Sequence, residues 1–300
     1  MKNNFFKALN EISNIKFYQN YNFKNDNSLK IDTIISLLII PNDIYSLKKV
    51  ILLLNDYEKP YLVIGNATKI LFKDHFVKKA IIILKHNFSN ISYDGRAVYA
   101  CSGCSLIQLI SFIHNYSLGG IEKLVGIPAT IGGAIYNNVS AHNIAISDYI
   151  LKIDYLDAEG NFKTMSKNDA NFSYRSSIFH TNKKLIILGA LFSFQKINID
   201  EANLLIKEAI LYRKKHQPSN LISCGSIFKN GDSYKAYELI KSLDKEKLTY
   251  NSVYISSKHY NFLDSNGQQT ANDIIMLINQ IKNEIFKKYN IDIKLELEII

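Results

Sequence analysis

Hydrophobic and polar positions along this chain follow two different periods, and the changes of period divide it into elements. Residues 5–15 carry an amphipathic helical pattern, and 34–40 form an apolar run broken only by Ser36, which reads as a buried strand. Residues 44–54 return to helical spacing. A short strand over 61–64 then runs into the turn Gly65-Asn66-Ala67-Thr68-Lys69. Strands are expected at 80–84 and 97–101, before a helix in which Leu106, Leu109, Ile110 and Ile113 share one face. Residues 150–157 and 162–165 read as a hairpin turning at Glu159-Gly160-Asn161, and 185–194 as another buried strand. Asp200 stands where it caps a helix ending near His216, with Pro218 just beyond. Thr270 and Asp273 have capping-box spacing ahead of a helix over 272–289, whose apolar face is Ile274, Leu277, Ile278, Ile281 and Ile285. Residues 293–299 alternate with period two. Glu296 and Glu298 are therefore expected on one face of a strand, with Leu295, Leu297 and Ile299 on the other.

The stretch 118–138, LGGIEKLVGIPATIGGAIYNN, follows neither period. It concentrates five of the thirteen glycines, so the backbone there is free to take unusual dihedrals and to lie close to a ligand. Successive amides in such a stretch form a concave nest for phosphate oxygens. The glycines are interleaved with Ile121, Leu124, Val125, Ile127, Ile131, Ala134 and Ile135, too apolar a set for a surface loop. The expectation is backbone packed in the interior beside a large ligand. Two phosphate motifs are excluded: no GxGxxG occurs, and no Lys-Ser/Thr follows Gly126 and Gly132 at P-loop spacing.

Composition narrows the class. Three hundred residues with 47% hydrophobic content bury a sizeable core in two or three domains, and the elements group as 1–86, 87–196 and 197–300. The longest apolar run is too short to span a bilayer, and the first residues lack the apolar centre of a signal peptide. A soluble cytoplasmic protein without a membrane partner is expected. Cys101, Cys104 and Cys224 do not make a disulfide framework, and with no second CxxC pair they read as packed thiols. The seven histidines are scattered, so no metal site is expected. The net charge of +9 comes with dispersed lysines, not a stripe on one element, and suits anionic small molecules as well as nucleic acid, so charge alone does not decide the partner.

Several motifs together resemble one family. Gly120-Ile-Glu122, followed by Gly126-Ile127-Pro128-Ala129-Thr130-Ile131-Gly132-Gly133-Ala134, is similar to G-x-E-x-x-x-G-I-P-G-T-x-G-G-A of the UDP-N-acetylenolpyruvoylglucosamine reductases. Ala129 replaces a glycine, and the usual M-N-A-G-A-Y-G continuation stands here as Asn137-Asn-Val-Ser-Ala-His-Asn143. The family's G-x-G-S-N turn, placed against the flavin pyrophosphate, corresponds to Gly65, Asn66, Ala67, Thr68 and Lys69. Read without the family, that segment is explained nearly as well by an ordinary strand-to-helix turn. Tyr174-Arg175-Ser-Ser-Ile-Phe179 resembles Y-R-x-S-x-F, and residues 213–230 resemble R-x-x-x-Q-P followed by G-S-x-F-K-N-P, with Gly231 in place of the last proline. The ending Leu295-Glu-Leu-Glu-Ile299 resembles L-E-x-E-V, and 253–262 resembles a segment just before the last helix, in which Lys258, His259 and Asn261 organise the third domain or line the substrate cleft without being catalytic.

The resemblance implies an α+β fold: a two-subdomain FAD-binding module of the vanillyl-alcohol-oxidase type, followed by a C-terminal α+β substrate-binding domain. It implies FAD as cofactor and NADPH as hydride donor, acting on a UDP-sugar enolpyruvyl ether in peptidoglycan precursor synthesis. Arg175, Ser226 and Glu298 take the catalytic places. Tyr174, Arg213, Lys229 and Asn230 take substrate contacts. The length and the compact 175–185 region match the shorter class without a tyrosine lid loop, and a monomer is favoured. The choice of Glu298 over Glu296 rests on the resemblance, since a solvated strand face explains Glu296 equally well. Two rivals remain: another flavin oxidoreductase on the same fold, and a non-catalytic flavin- or nucleotide-binding relative.

Overall fold

A computed structural model describes residues 2–85, 88–218 and 222–300, so the expected boundary at 86/87 lies outside the described residues. The chain divides into two compact units, one made of Met1–Asn20, Ser36–Asn66 and Lys78–Leu211, the other of Tyr21–Ile35, Ala67–Val77 and Tyr212–Ile300.

The first unit holds two sheets. One has the strand order Ile15–Asn22, Ile34–Pro41, Phe76–Ile83, Tyr61–Ile64, with the last two parallel. Phe5 and Leu9 of the helix Lys2–Glu11 share a core with Leu47, Val50, Ile51 and Leu54 of the helix Ile44–Asp56. The first helix stops short of the expected residue 15. Asn14 takes φ +60, which ends the helix and starts the strand Ile15–Asn22. That strand escaped the pattern reading because it lies at the sheet edge and buries none of its residues. The second sheet is antiparallel throughout, ordered Phe162–Ser166, Ile150–Leu156, Ile186–Phe192, Val98–Cys101, Ile91–Tyr93. Against it pack Leu106, Leu109, Ile110 and Ile113 of the helix Leu106–His114, all buried as their spacing predicts. Asn198, rather than Asp200, begins the helix Ile199–His216: its Oδ1 accepts from the amides of Asp200 and Glu201 at 2.8 and 3.3 Å.

The second unit is built on the helix Ala271–Tyr289. Ile274, Leu277, Ile278, Ile281 and Ile285 all face its core. Thr270 and Asp273 form the expected capping box. The antiparallel strands Thr249–Tyr250, Val253–Ile255 and Leu263–Ser265 complete this layer. The terminal segment departs from the expected continuous strand. Leu295 bridges to Phe228, the amides of Glu296 and Leu297 both turn to the Ile227 carbonyl, and only Glu298–Ile299 pairs as a strand, parallel to Ile70–Leu71. Changing partners bends the chain at 296–297. The residues it buries are accordingly Ile293 and Leu297, four apart, instead of every second one.

Candidate functional site

Gly65 ends a strand of the first unit, where a Cβ would lie 2.3 Å from Thr130 Oγ1. Only glycine permits that approach, because Thr130 is committed as N-cap of the helix Ile131–Tyr136, its Oγ1 accepting from the Gly133 amide. Asn66 Nδ2 donates to the Pro128 carbonyl at 3.3 Å. The two expected cofactor segments, distant in sequence, are thus neighbours. The glycine-rich stretch itself does not form the expected run of phosphate-facing amides. Ile127 donates to Leu124, Ala129 to Ile127, Ile131 to Cys104, Gly132 to Ser102 and Ala134 to Thr130. These amides find protein carbonyls, as buried amides must, and the glycines make room for close neighbours: Gly132 for Ser102, Gly119 for the Glu122 and Ile197 side chains, Gly120 for the Tyr149 ring. The segment 102–104 supplies two of those carbonyls, a role invisible in its sequence.

The turn 65–68 behaves differently. Among the described residues its amides have no protein acceptor, and Ala67 takes φ +50, the left-handed conformation that aims successive amides to one side.

Arg175 also lies in the first unit and is itself left-handed, at φ +54. Its Nη1 donates to Ser140 Oγ at 2.7 Å and its Nη2 to the Ser140 carbonyl at 3.2 Å. The guanidinium stands 5.2 Å from the ring centre of Tyr174, which is half exposed. Asn138 Nδ2 reaches the Ser173 carbonyl and Ser177 Oγ the Tyr136 carbonyl, so the arginine loop is tied down at both ends. All these anchors fall in or beside 137–143, where the chain departs from the family's usual continuation.

Ser226 and Glu298 belong to the second unit. Gly225, at φ +69, turns the chain into Ser226. Asn261 holds the two residues after the serine: its carbonyl accepts from the Ile227 amide, and its buried side chain bonds both the amide and the carbonyl of Phe228. Lys69 Nζ donates to the Ser226 carbonyl at 2.5 Å and pairs with Glu296 Oε1 at 3.0 Å. The Glu298 amide donates to the Lys69 carbonyl at 2.9 Å. Glu296 is therefore no solvated strand residue, its side chain being only 10% exposed. Sequence reading passed over Lys69 as the end of a turn and Ser140 as loop. Neither carried a signal beyond its chemistry.

The expected substrate contacts are distributed. Arg213 Nη1 donates to Gln217 Oε1 at 3.3 Å, its Nε is buried without a partner among the described residues, and burial lowers its pKa from the ordinary arginine value. The Lys229 amide is held by the Lys294 carbonyl, and Asn230 Oδ1 accepts from the Ala236 amide at the start of a helix. Of the thiols, Cys104 is pushed up to about 12 and Cys101 and Cys224 are raised, each mainly by burial. No group of three or more His, Cys, Asp or Glu suited to a metal occurs among the described residues.

Comparison with known proteins adds the family. The model of an FAD-binding domain matches residues 35–166, and that of the UDP-N-acetylenolpyruvoylglucosamine reductase C-terminal domain matches 217–300. The UDP-N-acetylenolpyruvoylglucosamine reductase of Clostridioides difficile is 33% identical over 264 residues, 88% of this chain and 86% of its own. That of Anoxybacillus flavithermus is 30% identical over 94% of this chain and 93% of its own. The chain belongs to the UDP-N-acetylenolpyruvoylglucosamine reductase family. The crystal structure of the Thermus caldophilus reductase superposes on 95% of this chain and 98% of its own, with TM-score 0.80 and 25% identity. The glucose dehydrogenase Phl p 4.0202 shares the fold alone, over 65% of this chain and 44% of its own, at TM-score 0.51 and 13% identity.

The fold is accordingly α+β, an FAD-binding module followed by the family's C-terminal domain. FAD is the cofactor of this reductase. Its residues fit an anionic group: among the described residues the amides of the turn 65–68 have no protein acceptor, and a Cβ at Gly65 would collide with the neighbouring cap. No helix among the described residues is long and apolar enough to cross a membrane.

Proposed function

We propose that Arg175, Ser226 and Glu298 carry the chemistry of this family member. The enzyme reduces the enolpyruvyl ether of UDP-N-acetylglucosamine to UDP-N-acetylmuramate with NADPH, a step of peptidoglycan precursor synthesis. Bound FAD supplies hydride transfer, from NADPH to the β-carbon of the enolpyruvyl group. Ser226 gives its hydroxyl proton to the α-carbon, so hydride and proton together saturate the double bond. A serine hydroxyl is a weak acid and needs neighbours that stabilise the charge left behind. Arg175 presents its fork to the substrate carboxylate, where enolate character develops. Glu298 is assigned to polarising the same carboxyl group.

One observation supports this assignment above the rest: the carbonyl of Ser226 is gripped by a lysine whose backbone bonds Glu298 and whose side chain pairs with Glu296. Gly65, Asn66, Ala67 and Thr68 are proposed for the FAD pyrophosphate. Gly126, Ile127, Pro128, Ala129, Thr130, Gly132, Gly133 and Ala134 are proposed as the wall along the rest of the cofactor, with Gly126 and Pro128 exposed there. Tyr174, Arg213, Lys229 and Asn230 are proposed for the UDP-sugar. The division into 1–86, 87–196 and 197–300 is proposed on the sequence pattern, while the cores cross its bounds: Leu156, Ile186 and Leu188 join the core of Phe5 and Leu47, and Leu29, Ile31 and Leu71 that of the 271–289 helix. Cytoplasmic location and a monomeric state belong to the same reading.

The test begins with colour. Purified enzyme is expected to be yellow and to oxidise NADPH only with the enolpyruvyl substrate present. Ser226→Ala is expected to leave flavin reduction by NADPH intact and to abolish reoxidation by substrate. Equal loss of both half-reactions would assign Ser226 a structural role.

A further inference from the structure

We infer that Lys69 is a positioning residue for the proton-donating Ser226. The inference rests on the reading of Ser226 as proton donor and extends it to a residue outside the family's motif, where the G-x-G-S-N turn carries asparagine.

Both polar groups of one peptide unit are held. The peptide joining Ser226 to Ile227 has its carbonyl bonded by Lys69 Nζ at 2.5 Å and its N–H bonded to the Asn261 carbonyl at 3.0 Å. A peptide is a rigid plane, so fixing both its polar groups fixes the rotation about the Ser226 Cα–C bond and with it the base from which Oγ projects. The preceding residue, Gly225, is glycine in the left-handed region, with its amide bonded to Ser223 Oγ at 3.0 Å. Lys69 lies over it: a Cβ on Gly225 would stand 3.5 Å from Nζ and 3.9 Å from Cε. Without the ammonium, the Gly225–Ser226 corner keeps its freedom on the carbonyl side.

Lys69 is itself well anchored. Its carbonyl accepts from the Glu298 amide, the strand Ile70–Leu71 just after it pairs in parallel with Glu298–Ile299, and Glu296 Oε1 lies 3.0 Å from Nζ. The lysine side chain is 24% exposed and the glutamate 10%, so the pair is held in a partly dry setting where its charge-assisted bonds are strong. The same ammonium is a positive charge beside the serine that must shed a proton.

The experiment tracks the two half-reactions of FAD-loaded enzyme by flavin absorbance. Lys69→Met is expected to slow reoxidation by the enolpyruvyl substrate at saturation at least tenfold. It should raise the solvent deuterium isotope effect on that step and leave flavin reduction by NADPH within twofold. Lys69→Arg, which keeps the charge and the pair, is expected to recover most of the loss. Reoxidation within twofold of wild type, or an equal fall of both half-reactions, would overturn the inference. Ser226→Ala separates the two layers: if it reoxidises normally, the reading of Ser226 itself fails. If it is dead while Lys69→Met is normal, only the role of Lys69 fails. Should Lys69→Met not fold, Glu296→Gln removes the carboxylate that holds the lysine. That variant is expected to slow reoxidation several-fold with reduction unchanged, and unaltered reoxidation there also overturns the proposal.

Discussion

Asn143 takes φ +62 and Ala67 φ +50 at two positions where the family pattern carries glycine. The two replacements differ in cost. Asparagine enters the left-handed region readily, while a Cβ without a polar partner there costs about 1–2 kcal/mol. Ala67→Gly relieves that strain against an entropic cost of about 0.5–1 kcal/mol. The relief is the larger, so this variant is expected to melt slightly higher, by about 1–3 °C, with FAD retained, in a thermal scan of holoenzyme. Ser140 likewise stands where a glycine is usual, and here its hydroxyl accepts from Arg175 at 2.7 Å. Ser140→Ala removes that bond and leaves the one to the carbonyl. With a charge-assisted bond worth about 1.5–3 kcal/mol and partly compensated, kcat/KM is expected to fall about tenfold, with flavin reduction by NADPH unchanged. A steady-state assay beside a single-turnover reduction checks it. At Gly65 no compensation exists, because Thr130 is β-branched and fixed as a cap. Gly65→Ala is expected to lose about 1–3 kcal/mol of stability and to purify with little flavin colour.

Helices were legible as elements because their signals are local. The 271–289 helix declares its start through Thr270 and Asp273 and its core face through five aliphatic residues at helical spacing. The helix Ile44–Asp56 starts in the same way, its box formed by Asp43 and Ser46. The Ser46 amide, bonding the Asp43 carboxylate, holds that carboxyl below its ordinary range against the opposing effect of burial. A depressed native value means stabilisation that is complete above the unfolded carboxylate range and disappears as pH falls through the native value. Asp43→Ala is therefore expected to cost about 1 kcal/mol at pH 7, and the gap from wild type should close toward pH 3, as denaturant titrations at several pH values would record. Strands were less legible. The edge strand Ile15–Asn22 has only a half-buried face, with Ile15 and Phe17 against the core, too short an alternation to write a period into its sequence. The terminal segment has the period but pairs as a strand only at Glu298–Ile299. Its alternation is overridden because Leu295 and Glu298–Ile299 pair with different segments, Phe228 and Ile70–Leu71.

Burial decides the chemistry of groups that the whole molecule does not expose. Cys101 and Cys104 have a redox spacing, yet Cys104 is fully buried and both thiols are raised above their ordinary values. A thiolate-selective reagent at pH 7 is expected to leave Cys104 and Cys224 unmodified in native enzyme and to label all three cysteines in denaturant, as intact mass would show. By itself, the order of amino acids determined the family and the cofactor, because each motif is a short run whose chemistry travels with it. It also determined the longer helices as elements, whose periods lie within a few residues of one another, though not every cap or end. Tertiary structure alone decided what those residues touch. It turned the glycine-rich amides onto the 102–104 carbonyls, seated Arg175 on Ser140, and brought Lys69 to Ser226 and Glu296. Such contacts join segments distant in the chain, and no periodicity or local spacing encodes which carbonyl a buried donor will find once the core has closed around it.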